Sequence, residues 1–158
     1  MANWRMKQLV GAAAAVSALS ASGVAFADGP KRLPGPDQLQ VEILALRSNQ
    51  GTVYCTIYRK PGDGFPVDAK KALKSARSKI ASGKARCDFD GIPPGVYAVG
   101  MIHDENDNHK LDTNWIGIPT EGYGTSRDAV GRFGPPSFKD AAFSYGGGTA
   151  RIAIHPQY

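Results

Sequence analysis

Along residues 39–45 apolar side chains fall at every second position: Leu39, Val41, Ile43 and Ala45, set between Gln40, Glu42 and Leu44. Alternation with period two puts one set on a buried sheet face, so it predicts a strand. Ser48-Asn49-Gln50-Gly51 carries turn chemistry, and a hairpin is expected across it. Residues 52–59 then set Val53, Cys55 and Ile57 on one face and Thr52, Tyr54, Thr56 and Tyr58 on the other, the β-branched and aromatic mixture that strands favour. Residues 84–89 repeat the pattern with Ala85, Cys87 and Phe89. Beyond a tight turn at Gly91-Ile92-Pro93-Pro94-Gly95, residues 96–103 are apolar on both faces, as in a central strand covered on two sides. Residues 141–145 and 149–155 read as a last hairpin across Gly146, Gly147 and Gly148.

Two stretches depart from this rhythm. Pro61, Gly62 and Gly64 break the second strand, and Pro66 stands where a helix can begin without losing a hydrogen bond. Ala69, Ala72, Leu73 and Ala76 then give a narrow stripe at helical spacing, so a short helix is expected, ending before Ser82-Gly83. Residues 113–140 are dense in glycine and proline yet hold Trp115, Tyr123, Phe133 and Phe138. A loop of that length inside a domain is functional or disordered, and its aromatics argue against disorder. The expectation is a folded loop whose aromatics pack down on the body. Together these elements predict a single all-β sandwich of about seven strands, with one short helix and one long Gly/Pro/aromatic loop.

The amino-terminal residues follow a different logic. Arg5 and Lys7 precede an apolar, alanine-rich run over residues 9–26, and Ala25-Phe26-Ala27 has the small-x-small form of a signal-peptidase site. Gly11, Ser17, Ser20, Ser22 and Gly23 dilute the run too far for a permanent span. Residues 1–27 are therefore read as a cleaved Sec-type signal, residues 28–38 as an extended Pro/Gly linker, and residues 39–158 as the sandwich domain. Export to the periplasm or beyond follows. The formal charge of +5 over 158 residues falls to +3 without Arg5 and Lys7. Lys70, Lys71, Lys74, Arg77 and Lys79 cluster without interleaved aromatics, which reads as a solvated face rather than a nucleic-acid surface.

An oxidising destination changes the reading of the two cysteines. Cys55 and Cys87 both fall on faces predicted to point inward, and a disulfide is expected between them. Closing a loop of about thirty residues is worth roughly 3–4 kcal/mol in the chain-entropy account.

The densest candidate chemistry follows the central strand, in Asp104-Glu105-Asn106-Asp107-Asn108-His109-Lys110-Leu111-Asp112. Counting from Asp104, oxygen-bearing side chains occupy positions one, three, five and nine: Asp104, Asn106, Asn108 and Asp112. The Lys110 carbonyl at position seven can add another oxygen. Hard cations take six to eight oxygens at roughly 2.3–2.6 Å, so Ca²⁺ is the expected cofactor. The match to the helix–loop–helix calcium pattern is partial. His109 stands where that pattern has glycine, and Trp115 where it has a bidentate glutamate. A further acid must come from elsewhere, with Glu121 and Asp128 the nearest candidates. The competing reading is a solvated polar turn, because Asp and Asn also serve turns by bonding their own backbone.

Several longer motifs belong together: Gly64-Phe65-Pro66; Phe89-Asp90-Gly91-Ile92-Pro93-Pro94-Gly95-Val96-Tyr97; His103-Asp104-Glu105-Asn106; Lys110-Leu111-Asp112-Thr113-Asn114; Glu121-Gly122-Tyr123-Gly124; and Arg132-Phe133-Gly134-Pro135-Pro136-Ser137-Phe138. In these the chain resembles the exported bacterial proteins grouped as the domain of unknown function 2141 family, over essentially residues 39–155. The resemblance implies place and shape, since the family carries no assigned activity. More loosely, the Pro-Pro-Gly-x-Tyr turn is similar to that of transthyretin-like (prealbumin-like) and carboxypeptidase-regulatory-like sandwiches. The Tyr-Arg-Gly-Ser ending of the hydrolase branch of the transthyretin-like proteins is missing, which argues against a purine-pathway enzyme.

Three classes of function remain open. A small enzyme would use His103 with Asp104, or a transition metal held by His103, His109 and Asp104, although no nucleophile or zinc-protease signature is present. A binding module would use Trp115, Tyr123, Arg127, Arg132 and Phe133, with His103, on a concave face beside the acidic loop. A purely structural envelope domain would bury those aromatics. The expectation is the second: a monomeric, non-catalytic, Ca²⁺-stabilised module recognising an envelope or extracellular partner, with no nucleic-acid role.

Overall fold

The computed structural model describes residues 31–33, 36–66, 68–132 and 134–158. The expected signal segment and Phe133 lie outside the described residues.

Among the described residues there are nine strands: β1 (Lys31–Leu33), β2 (Gln38–Ile43), β3 (Thr52–Tyr58), β4 (Lys74–Ser78), β5 (Ala85–Asp90), β6 (Gly95–Asp104), β7 (Gly122–Thr125), β8 (Phe143–Tyr145) and β9 (Thr149–Ile154). They form two sheets. One runs β1-β9-β2-β5; the other runs β4-β3-β6-β7, with β8 also paired to β6. The all-β sandwich read from the sequence is the observed architecture.

Alternation builds the core as expected. Leu39, Val41 and Ile43 of β2, and Ala85, Cys87 and Phe89 of β5, point inward from one sheet. Val53, Cys55 and Ile57 of β3, with Tyr97, Val99 and Met101 of β6, meet them from the other. Cys55 and Cys87 join the two sheets through a disulfide, with Cα atoms 6.3 Å apart. The central strand β6 is buried on both faces from Tyr97 to Met101. Its outer face is covered by the segment around Phe65 and Pro66. Phe65 stacks edge-to-face on Tyr58 and on Phe138, with centroids 5.4 and 6.0 Å away. A Cβ on Gly100 would stand 3.0 Å from the Pro66 carbonyl oxygen, so glycine lets this segment lie flat on β6.

Four sequence expectations need correction. No helix forms over residues 66–81. A short 3-10 turn, Ala69–Lys71, leads instead into β4 on the edge of β3, with Cys55 opposite Ala76. Three alanines and a Leu73 left 43% exposed bury too little to hold an isolated helix, whereas a strand satisfies the backbone groups along β3. The one α-helix among the described residues is the four-residue Phe138–Ala141, capped by the Ser137 hydroxyl accepting from the Asp140 amide at 3.3 Å. Neither expected hairpin exists: β2 and β3 lie in different sheets, and so do β8 and β9. Turn residues report that the chain reverses; in a sandwich the reversal can carry it to the facing sheet. The segment read as a linker supplies β1, which pairs with β9. The long loop is also less irregular than expected, since it contains β7, a 3-10 turn at Ser126–Asp128 and the short helix.

Candidate cation-binding loop and its surroundings

Strand β6 ends in Asp104, and the chain leaves the sandwich there, returning at β7. The Asp104 side chain is fully buried. Its two carboxylate oxygens accept the backbone N–H groups of Asn108 at 3.0 Å and His109 at 2.7 Å. The loop is thereby wrapped around a carboxylate at its first position. Asn106 Oδ1 accepts from the Asn108 amide at 3.1 Å, and Asn108 Oδ1 from the Lys110 amide at 2.9 Å, two successive side-chain turns of the kind Asn favours. The Asn106 and Asn108 side-chain amides both donate to the Asp112 carboxylate, at 2.7 and 3.0 Å. His109 adopts φ +64°, the left-handed conformation for which the calcium pattern places glycine at this position.

Of the two acids considered to complete the loop, Glu121 is beneath it and Asp128 is not. Glu121 is buried, with Oε1 accepting from the Glu105 amide at 2.9 Å and Oε2 from the Asp112 amide at 3.0 Å. It therefore clamps the two ends of the loop. Asp128 instead pairs with His155, Oδ2 to Nδ1 at 2.7 Å. Among the described residues no Lys or Arg nitrogen comes within ion-pair distance of Asp104, Asp112 or Glu121. The loop's partners on the body are polar and aromatic. Tyr54 Oη is 2.7 Å from His109 Nδ1, and Lys79 Nζ is 3.9 Å from Asp107.

A second network fixes the base. The Arg47 guanidinium makes a bidentate ion pair with Glu105, and Ser48 Oγ donates to the same carboxylate at 2.8 Å. The hydrogen bond from Arg47, helped by the one from Ser48 and opposed by partial burial, holds the Glu105 carboxyl below its usual pKa. Arg47 also donates to the Thr120 carbonyl at 3.0 Å and lies 4.3 Å over the Tyr158 ring. Burial pushes the Tyr158 hydroxyl pKa up. Gly51 brings the β2–β3 connection against this base: a Cβ there would stand 1.9 Å from the Asp104 carbonyl oxygen, and its φ is +72°.

His103 does not form the catalytic or metal pair weighed from the sequence. Its Nε2 faces the Gln50 carbonyl at 2.9 Å and its Nδ1 the Tyr158 hydroxyl at 2.8 Å. A carbonyl only accepts, so the network assigns the proton to Nε2 and makes Nδ1 the acceptor. Adjacent residues on a strand project to opposite faces, which separates the His103 ring from the Asp104 carboxylate. Among the described residues no three His, Cys, Asp or Glu side chains gather as a ready-made metal cluster. A transition-metal site through His103, His109 and Asp104 is therefore not what the structure assembles.

The expected concave aromatic face does not form among the described residues either. Trp115 is 94% exposed, contrary to the expectation that the loop aromatics pack down. Tyr123 sits in β7, bridged to Gln157 through its backbone, and lines a shallow hollow of about 40 Å³ with Thr125, Asp128 and His155. Trp115, Arg127 and Arg132 do not line it. Arg127 turns away to donate to the Ala142 carbonyl at 3.1 Å, and Arg132 is exposed. No local pattern signals the Asp128–His155 pair or the Arg47–Glu105–Tyr158 network, whose members are far apart along the chain.

No helix among the described residues is long and apolar enough to cross a membrane. No curated protein and no solved structure matches the chain. Residues 41–153 match the bacterial family described as "Uncharacterized protein conserved in bacteria (DUF2141)". That span covers most of the sandwich, leaving out β1 and the start of β2, and includes the disulfide and the whole acidic loop with its clamp; the chain belongs to this family.

Proposed function

We propose that this chain is an exported, non-catalytic sandwich module whose loop 104–112 binds Ca²⁺ and which recognises a partner in the cell envelope. One observation carries the cation reading. Asp104 and Glu121 are buried carboxylates whose hydrogen bonds come only from backbone N–H groups. Buried charges are ordinarily paired or metal-bound; no cationic side chain among the described residues lies within ion-pair distance of either, although the Arg47 guanidinium acts on Glu121 from beyond that distance. The donors along the loop are all hard oxygens: the Asp104 and Asp112 carboxylates, the Asn106 and Asn108 amides, and the Lys110 carbonyl, with Glu121 holding the loop's two ends together. That chemistry suits Ca²⁺ better than a softer metal. Each oxygen that accepts one N–H retains a second lone pair for a cation. Because the loop already satisfies its own hydrogen bonds, bound Ca²⁺ supplies extra stability rather than the fold itself.

Export is supported by the charged and apolar amino-terminal pattern and by a cross-sheet disulfide, a bond that persists in oxidising compartments. Affinity on the order of 10⁻⁴–10⁻³ M suits an extracellular module. The test is a thermal melt in CaCl₂ and in EDTA, with Asp104→Asn and Asp112→Asn alongside. At a hundredfold excess over Kd the parent gains about 2.7 kcal/mol, and each variant loses most of that gain. A melt insensitive to Ca²⁺ in the parent would reduce residues 104–112 to a self-bonded polar turn and leave a purely structural domain.

A further inference from the structure

We infer that the turn formed by residues 113–119 is a membrane-docking tip that inserts its apolar side chains into an anionic lipid surface. The inference deepens the envelope-binding reading by naming the partner, and rests on it for the compartment.

The turn continues directly from the acidic loop, and residues 113–118 are all exposed. Trp115 is 94% exposed, Ile116 56% and Ile118 55%. Three large apolar side chains in four residues, held out into solvent, are not the scattered singles of an ordinary surface. The turn is nonetheless well formed. Asn114 N–H donates to the Ile118 carbonyl at 2.8 Å, and the Asn114 carbonyl accepts from Gly117 at 2.9 Å. The Asn114 side-chain oxygen accepts from the amides of Ile116 and Ile118 at 3.1 and 3.0 Å. Thr113 pairs with Pro119 across the neck, and the Thr120 amide donates to the Asp112 carbonyl at 2.8 Å.

These details favour lipid over a protein groove. Backbone polar groups near the apolar part of a bilayer are costly when left open, and here Asn114 takes up the amides of Ile116, Gly117 and Ile118, which suits insertion no deeper than the headgroup boundary. Residues 113–120 carry no charge, so nothing ionic has to leave water. Tryptophan suits the headgroup boundary, with an apolar body and one N–H donor. The tip projects, and a convex apolar point fits a deformable surface. Exposed Lys110 lies at its base together with Asp107 and Asp112, and Arg47, paired with Glu105, bonds the Thr120 carbonyl there. Without Arg5 and Lys7 of the expected signal the formal charge is +3, mildly complementary to anionic headgroups. Ca²⁺ in the adjoining loop would add positive charge at the same end.

The chain contains two tryptophans, Trp4 and Trp115. A Trp4→Phe background therefore makes Trp115 emission a report on this turn alone, whatever the amino-terminal segment does. That chain is mixed with phosphatidylglycerol/phosphatidylethanolamine vesicles, with phosphatidylcholine vesicles, and with lipids carrying a shallow quencher, each in CaCl₂ and in EDTA. The expected result is a blue shift and quenching of Trp115, stronger on the anionic vesicles. Ile116→Ser with Ile118→Ser should weaken the response at least about tenfold, the scale of losing two partly buried apolar side chains. Both positions are exposed, so the melting temperature should not move. Trp115 emission unchanged by every vesicle overturns the inference and leaves a protein surface as the tip's partner. A shift that follows protein concentration without lipid overturns it in favour of a second copy of this chain. The Ca²⁺ melt is read separately: a melt shift without a vesicle response sinks the docking tip alone, and neither response sinks both readings.

Discussion

Asp104 and Glu121 do the same job from opposite ends of one loop. Each is buried, and each spends its carboxylate on two backbone N–H groups. Hydrogen bonds to a charged acceptor are worth about 1.5–3 kcal/mol apiece, enough to define a loop that has no hydrophobic core of its own. Asp104 was legible in the sequence because the alternating oxygen pattern of the loop begins with it. Glu121 was legible only as a nearby acid, on equal terms with Asp128, because nothing local distinguishes a clamp from a partner of His155. Arg47 and Tyr158 were invisible for a plainer reason: their contacts to each other and to Glu105 span 58 to 111 residues of chain. The Arg47–Glu105 pair carries a pH prediction. Arg47 holds the Glu105 pKa below its ordinary value of 4.5, so the pair's contribution is complete above that value. It is lost as the pH falls through the lower folded value. Glu105→Gln should therefore lower the melting temperature at neutral pH and shrink the further drop seen on acidification. Parallel acid limbs in parent and variant would show that the pair adds no pH-dependent stability.

At the scale of elements, the strands with clean alternation were the ones the sequence specified. β3, β5 and β6 keep their expected inward sets, and β2 keeps Leu39, Val41 and Ile43, because a one-residue slip would expose every core side chain; Ala45, expected inward with them, lies past the end of β2, exposed at φ +58°. Pairing was less legible than the strands themselves. The turn after β2 and the glycines before β9 signal reversal equally well for a hairpin and for a crossing between sheets. β4 was misread because Ala69, Ala72, Leu73 and Ala76 imitate a helical stripe, while the vacancy it fills lies on β3, elsewhere in the chain. Cys55 and Cys87 show the opposite case, since two inward strand positions in a chain read as exported sufficed to foresee the bond. The bond ties β3 to β5 across the core over a separation of 32 residues. Removing it by Cys55→Ala with Cys87→Ala should cost roughly 3–4 kcal/mol, read as a lower denaturation midpoint with a folded baseline retained. A midpoint unchanged by the double substitution would mean that the sandwich draws its stability from packing alone.

The molecule as a whole divides into a sandwich whose strands are stapled and closely packed, and an excursion from β6 to β7 held by polar contacts. The excursion meets the body mainly through Arg47, Ser48, Tyr54, Lys79 and the backbone near Gly51. Few apolar contacts and many exposed amides place such a segment at the low-stability end of a fold, where ligands act most strongly. Hydrogen exchange can resolve the two parts. In EDTA, amides of β2, β3, β5 and β6 should exchange only through global unfolding. The amides of Asn108, His109 and Asp112 should open locally and faster, although all three are bonded to carboxylates. Added Ca²⁺ should slow those three far more than the global shift slows the strands, because a cation held by Asp104 and Asp112 closes the local opening of the loop that Glu121 clamps. Equal slowing everywhere would place the cation's effect outside the loop. Slowing confined to residues 114–118 would place it at the tip. Selective protection of the amides on Asp104 and Glu121 would show that the two buried carboxylates hold one cation-binding loop, from opposite ends of the excursion.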